Sequence, residues 1–120
     1  MARQDNQKAD IVILGGGAAG IAAASSLLKR KPDLDIAVIE PSDTHYYQPG
    51  WTMVGGGVFQ PETTRRQAAD LMPSGVRRIK ASAAGFEPEK NAVILEDGSH
   101  VGYNRLVVAP GLKLDWNGIE

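Results

Sequence analysis

The chain has 120 residues, 42% of them hydrophobic, which suffices for one packed domain and is too short for two of ordinary size. Thirteen basic and fourteen acidic side chains leave a formal net charge of -1, so no field of either sign points to nucleic acid or an anionic membrane. There is no cysteine, which excludes disulfides, thiolate metal sites and thiol nucleophiles from these residues and leaves any redox chemistry to a bound cofactor.

The opening MARQDNQKAD is polar and lacks the apolar core of a signal peptide. Residues 1–8 are expected to be a solvated, disordered tail ahead of a domain over 9–120, and no apolar run approaches the roughly 18 residues that span a bilayer. Asp10 leads into Ile11, Val12, Ile13 and Leu14, an apolar run closed by three glycines, which predicts a strand buried on both faces and hence a parallel sheet. Residues 18–31, AAGIAAASSLLKRK, are rich in alanine and leucine and end in basic residues before Pro32, which predicts a helix stopping near Lys31. IAVIE at 36–40 predicts a second buried strand that finishes on a carboxylate. Strand, helix and strand in about 30 residues make a right-handed βαβ unit.

Residues 45–57, HYYQPGWTMVGGG, follow neither the helical nor the strand period. Residues 61–71 are polar and helical in tone, with Thr63 and Thr64 as possible caps. Residues 76–84 alternate weakly, FEPEKN at 86–91 supplies a turn, and AVIL at 92–95 and HVGY at 100–103 complete a small antiparallel meander. RLVVA at 105–109 is another continuous apolar strand, ended by Pro110 and Gly111. The expected fold is α/β, a parallel sheet extended by a small antiparallel β-meander.

Gly15, Gly17 and Gly20 have the G-x-G-x-x-G spacing, and each glycine has its own steric reason: a tight turn, close backbone approach to a pyrophosphate, and close packing of helix on strand. The helix starting at Ala18 and Ala19 would aim unpaired amides and its positive dipole end at that phosphate. Glu40, at the end of the next strand, can accept hydroxyl protons from an adenosine ribose and repel a 2′-phosphate. The competing view makes Glu40 a solvated strand-end charge and the glycines only a turn. The loop alone leaves NAD and FAD equally open.

With IVILGGGAAG, VIEPSDTHYYQPGWTMVGGG, PSGVRRIKA and YNRLVVAPGLKLDW, the sequence resembles sulfide:quinone oxidoreductases, especially the branch with the mitochondrial enzymes, over nearly all of residues 9–120. These belong to flavoproteins with two dinucleotide-binding domains, alongside flavocytochrome c sulfide dehydrogenase and type II NADH dehydrogenases, so the resemblance implies a Rossmann-like FAD/NAD(P)-binding domain that is incomplete as it stands. The resemblance implies FAD as cofactor, bound by Gly15, Gly17, Ala18, Ala19, Gly20 and Glu40, with Gln48 and Gly111 beside it and the backbone of Ala83 facing the adenine. It implies that Tyr46 and Trp51 pack around the cofactor or its entrance; Tyr47 and Trp51 can equally be core aromatics, and His45 suits a local hydrogen bond better than proton transfer. Pro110 stands where relatives carry a residue able to donate, and so offers the cofactor no amide. Lys80, Arg77 and Arg78 suit solvated strand charges better than phosphate ligands.

For the full protein the resemblance implies oxidation of sulfide at a cysteine pair, electron transfer through FAD to a quinone, and peripheral attachment on the cytoplasmic side of a membrane. The catalytic cysteines of the family lie beyond the point matching Glu120, so an inactive, soluble N-terminal fragment is expected, with weak FAD retention and possible homodimerisation through exposed apolar surface. The alternatives are a fragment of a type II NADH dehydrogenase or flavocytochrome subunit, or a stand-alone nucleotide-binding module without catalysis.

Overall fold

Strand β1 (Gln7–Leu14) is the axis of the molecule. The computed structural model describes residues 6–119. Most of the expected tail lies outside the described residues, but Gln7 and Lys8 do not belong to a tail: they pair with Val101 and Gly102 as the first residues of β1. Polar side chains there face solvent while the backbone joins the ladder, so composition hid the strand start.

Helix α1 (Ala18–Arg30) ends on Lys29 and Arg30, and the amide of Lys31 closes it on the Leu27 carbonyl at 2.8 Å, as the approach of Pro32 requires. It leads to β2 (Ile36–Ile39), all four residues of which are buried. Next come β3 (Thr44–Tyr46) and the short helix α2 (Gly50–Gly55), so the segment expected to be irregular is a strand joined to a helix. The helix expected over 61–71 is three pieces: a 3-10 turn at Pro61–Thr64, β4 (Arg65–Gln67) and α3 (Ala68–Leu71). The break falls at Arg65, Arg66 and Gln67, whose backbone pairs antiparallel with β3 and so cannot make helical bonds.

The rest of the chain supplies β5 (Val76–Ile79), β6 (Ala83–Glu87), β7 (Ala92–Leu95) and β8 (His100–Val108). The weakly alternating stretch is thus two strands, and the first belongs to the parallel sheet, paired with β2, rather than to the meander. The strands expected at 100–103 and 105–109 are one continuous β8. Asn104 and Arg105 are polar and exposed, and they interrupt the pattern without interrupting the backbone ladder.

The six main strands run in the order β5-β2-β1-β8-β7-β6, with β1 parallel to both β2 and β8, β2 parallel to β5, and β7 antiparallel to its two neighbours. β5 and β6 occupy the two ends of that order, yet only residues 80–82 connect them. The four residue steps from Ile79 to Ala83 reach about 14 Å at most. A flat sheet would put five strand spacings, about 24 Å, between its edges. The sheet must therefore curl until its ends approach, and the curl encloses one core: Val12, Ala37, Ile39, Ile79, Val93, Leu95 and Val101. On the outer face Ile11, Ile13, Ile36 and Val38 pack against Ala24 of α1, with Leu27 and Leu28 alongside. This fixes the carboxyl ends of β1, β2 and β8 side by side, where a ligand crevice belongs in a parallel sheet.

Candidate functional site

A cleft of about 620 Å³ opens at those carboxyl ends, within the usual range for small-molecule sites. Its walls come from the loop after β1, the segment after β2, α3 and the residues following β8.

The loop is sterically determined. Gly15 has φ +105°, and a Cβ there would sit 2.0 Å from the carbonyl oxygen of Ala109. A Cβ on Gly20 would sit 1.8 Å from the oxygen of Gly15. Neither glycine lines the cleft; both hold the loop down, Gly15 against the chain leaving β8 and Gly20 by letting α1 settle on the loop. Gly17 has open space for 4 Å around the place of its missing Cβ, and with Gly16, Ala18 and Ala19 it forms the cleft floor. No side chain caps α1, and its first turn holds no acid. The first intrahelical bond runs from the Ile21 amide to the Gly17 carbonyl, 3.0 Å, so the amides of Ala18, Ala19 and Gly20 precede the helical ladder. Together with the helix dipole they are able to receive an anion.

Glu40 also lines the cleft, and its carboxylate is held at both oxygens: Gly16 donates its amide to Oε2 at 2.7 Å and Ser42 donates its amide to Oε1 at 2.9 Å. A carboxylate has about four acceptor positions, so each oxygen keeps a further lone pair for a hydroxyl. Glu40 is therefore not merely a solvated strand-end charge. Gly16, which the spacing rule leaves free, is constrained too, since a Cβ there would meet Glu40 Cβ at 2.8 Å.

Residues 44–49 and, after β8, residues 109–112 and Leu114 complete the lining. Gln48 and Gly111 are thus both at the cleft, Gly111 in a left-handed turn at φ +72°. Tyr46 and Tyr47 are about half exposed along its rim and are not core aromatics. Trp51 is outside the lining but meets Tyr46 edge-on, ring centroids 6.0 Å apart. Ala83 is also outside the lining: it opens β6, pairs with Leu95 and packs against the inner core. Ala68, Leu112 and Leu114 were not legible as lining residues because nothing in their local sequence marks them. Among the described residues no cluster of three or more His, Cys, Asp or Glu could hold a metal ion.

Arg77 and Arg78 differ in kind. Arg77 is a half-exposed pair with Asp35 at 3.3 Å. The Arg78 side chain is only 17% exposed and reaches the Ser42 carbonyl at 2.6 Å and the Asp43 carboxylate at 3.0 Å. It is not the solvated strand charge expected from its composition.

A parallel sheet, a glycine loop under a helix N-terminus and a carboxylate at the end of the next strand define a dinucleotide-binding domain. The family model described as pyridine nucleotide-disulphide oxidoreductase matches residues 9–118, and the chain belongs to that family. It is 45% identical over 111 residues to the mitochondrial sulfide:quinone oxidoreductase of Dictyostelium discoideum, covering 92% of this chain and 25% of that protein. The mitochondrial sulfide:quinone oxidoreductase of Mus musculus is 35% identical over the same length, with the same coverage. The crystal structure of the sulfide:quinone oxidoreductase from Aquifex aeolicus superposes with a TM-score of 0.74 at 26% identity, over 92% of this chain and 25% of that one. The chain spans about a quarter of the length of these relatives.

Proposed function

We propose that this chain is the N-terminal, ADP-gripping part of an FAD site in a flavoprotein oxidoreductase whose whole form oxidises sulfide and passes the electrons to a quinone. The observation that carries the nucleotide part is the Glu40 carboxylate, oriented by the Gly16 amide beside a helix N-terminus that has neither cap nor acid. In this reading the amides of Ala18 and Ala19 hold the pyrophosphate, with Gly17 letting it approach. The two free lone pairs of Glu40 accept the ribose hydroxyls. Gln48 and Gly111, farther along the cleft, lie toward the flavin ring, and the backbone of Ala83 remains the proposed neighbour of the adenine. Bound there, FAD supplies a two-electron carrier.

The sulfide and quinone assignments rest on the relatives' names and on the sequence resemblance. Thiolate chemistry on sulfide needs cysteine, and these 120 residues contain none. The sulfur step, and the membrane contact at which a quinone would be reached, therefore fall to parts of the longer relatives that this chain does not span.

Calorimetric titration with ADP, 2′-phospho-ADP and FAD tests the site. The expected order is ADP above 2′-phospho-ADP by roughly tenfold or more, with Glu40→Gln abolishing the preference. FAD should be held weakly, because the cleft is open and its outer wall includes the almost fully exposed Leu112. No binding of ADP, or equal binding of the 2′-phosphate, overturns the reading. A whole parent protein that reduces quinone with NADH and not with sulfide would replace the substrate while leaving the FAD site in place.

A further inference from the structure

We propose that Arg78 is the positioning residue for Glu40: it clamps the segment after β2 so that the Ser42 amide holds the carboxylate toward the cleft. This rests on the reading of Glu40 as the ribose acceptor.

Of the two amides that hold Glu40, that of Gly16 is fixed by the packed loop after β1, whereas that of Ser42 lies in an exposed turn. A turn of this kind orients a carboxylate only if something orients the turn. Ser42 Oγ donates to the Thr44 carbonyl at 2.9 Å and accepts from the Thr44 amide at 3.1 Å, which shapes the turn without attaching it to the body of the protein. The turn is attached on two sides: the amide of buried Ala68 donates to the Asp43 carbonyl at 2.8 Å, and β5 holds the Ser42 end. Arg78 sits opposite Val38 in the parallel register, two residues before Glu40. One of its amino groups donates to the Ser42 carbonyl at 2.6 Å and, more weakly, to the Glu40 carbonyl at 3.4 Å, while the other meets the Asp43 carboxylate at 3.0 Å. A planar fork can span two carbonyls and a carboxylate together, which the compact ammonium of lysine cannot do. Among the described residues, Arg78 Nε is buried with no hydrogen-bond partner. The guanidinium thus satisfies the turn at the expense of its own third donor direction. Lys80 also reaches Asp43 but is largely exposed and touches no carbonyl of the turn.

The test measures dissociation constants for ADP and 2′-deoxy-ADP in the wild type and in Arg78→Lys, Arg78→Met and Lys80→Met, with amide exchange at Gly16 and Ser42 followed in the ligand-free proteins. The wild type should favour ADP by roughly tenfold. Arg78→Lys and Arg78→Met should bring that ratio close to one, with 2′-deoxy-ADP affinity unchanged and Ser42 exchange accelerated, while Lys80→Met keeps the ratio. A preserved ratio and a protected Ser42 amide in Arg78→Met overturn the proposal, as does an equal fall for both nucleotides. If the wild type binds neither nucleotide, the ribose reading fails, and Ser42 exchange alone still decides whether Arg78 holds the turn.

Discussion

Four glycines within six positions carry four different constraints, and they should fail in different ways. Gly20 cannot take a Cβ without moving the Gly15 carbonyl, so Gly20→Ala should cost roughly 3 kcal/mol and lower the melting temperature by about 10 °C. Gly17 has open space and an ordinary negative φ, so Gly17→Ala should leave stability within about 0.5 kcal/mol while weakening ADP binding about tenfold or more, since the methyl enters the proposed phosphate space. Unchanged ADP affinity in that variant would remove the pyrophosphate from the cleft floor. Spacing made Gly15, Gly17 and Gly20 legible, and Gly16 escaped because its constraint comes from Glu40, 24 positions away. The same distance hid the carboxylate's orientation, although its presence at the strand end was plain.

Acid offers another test on single groups. Hydrogen bonds from Lys80 first, then Arg78, hold the Asp43 carboxyl below its ordinary value of 3.8. Because the folded-state value is the lower one, the unfolded chain takes up the proton first as pH falls. Asp43's contribution is therefore complete above the unfolded value and disappears as pH drops through the folded one. Asp43→Asn should melt below the wild type at neutral pH, and the two melting curves should converge as pH falls below 3.8 and through the lower folded-state value. A gap that persists unchanged at that acidity would rule this out.

At the level of elements, continuous apolar runs were readable and mixed ones were not. β1, β2, β7 and the second half of β8 announce themselves because they are buried on a face or two, which demands Val, Ile and Leu. β3 and β4 pair only with each other, and β4 is exposed throughout, so no hydrophobic pattern marks it and helix propensity misled over 61–71. The assignment of β5 to the parallel sheet is a tertiary outcome too: RR at 77–78 looks like a solvated pair, and only Arg78 is drawn in, against the turn after β2. The meander is joined to the inner core through Val93, fully buried against the curled sheet. Val93→Ala should therefore cost about 2 kcal/mol in chemical denaturation, and Arg77→Gln, at a half-exposed pair, under about 1 kcal/mol. Equal losses would mean that the meander is a satellite of the core and not part of it.

For the molecule as a whole, the curl of the sheet was foreseeable only from the shortness of the 80–82 link taken together with the strand order, and strand order is not written in the sequence. Apolar side chains remain outside: Val108, Leu112, Trp116 and Ile119 are each more than half exposed and follow one another along the exit from β8. Such a surface favours self-association. Sedimentation equilibrium at micromolar concentration should show a reversible dimer that a Leu112→Glu, Trp116→Glu double variant returns to monomer; a constant monomer mass for the wild type excludes it. No described helix is long and apolar enough to cross a membrane. β8 has one more property at this scale. It runs beside β1 for nearly its whole length while its first three residues also serve β7, so a single thread laces the nucleotide half of the protein to the meander half. Neither half can come undone without pulling that thread, and the two should melt together as one cooperative body.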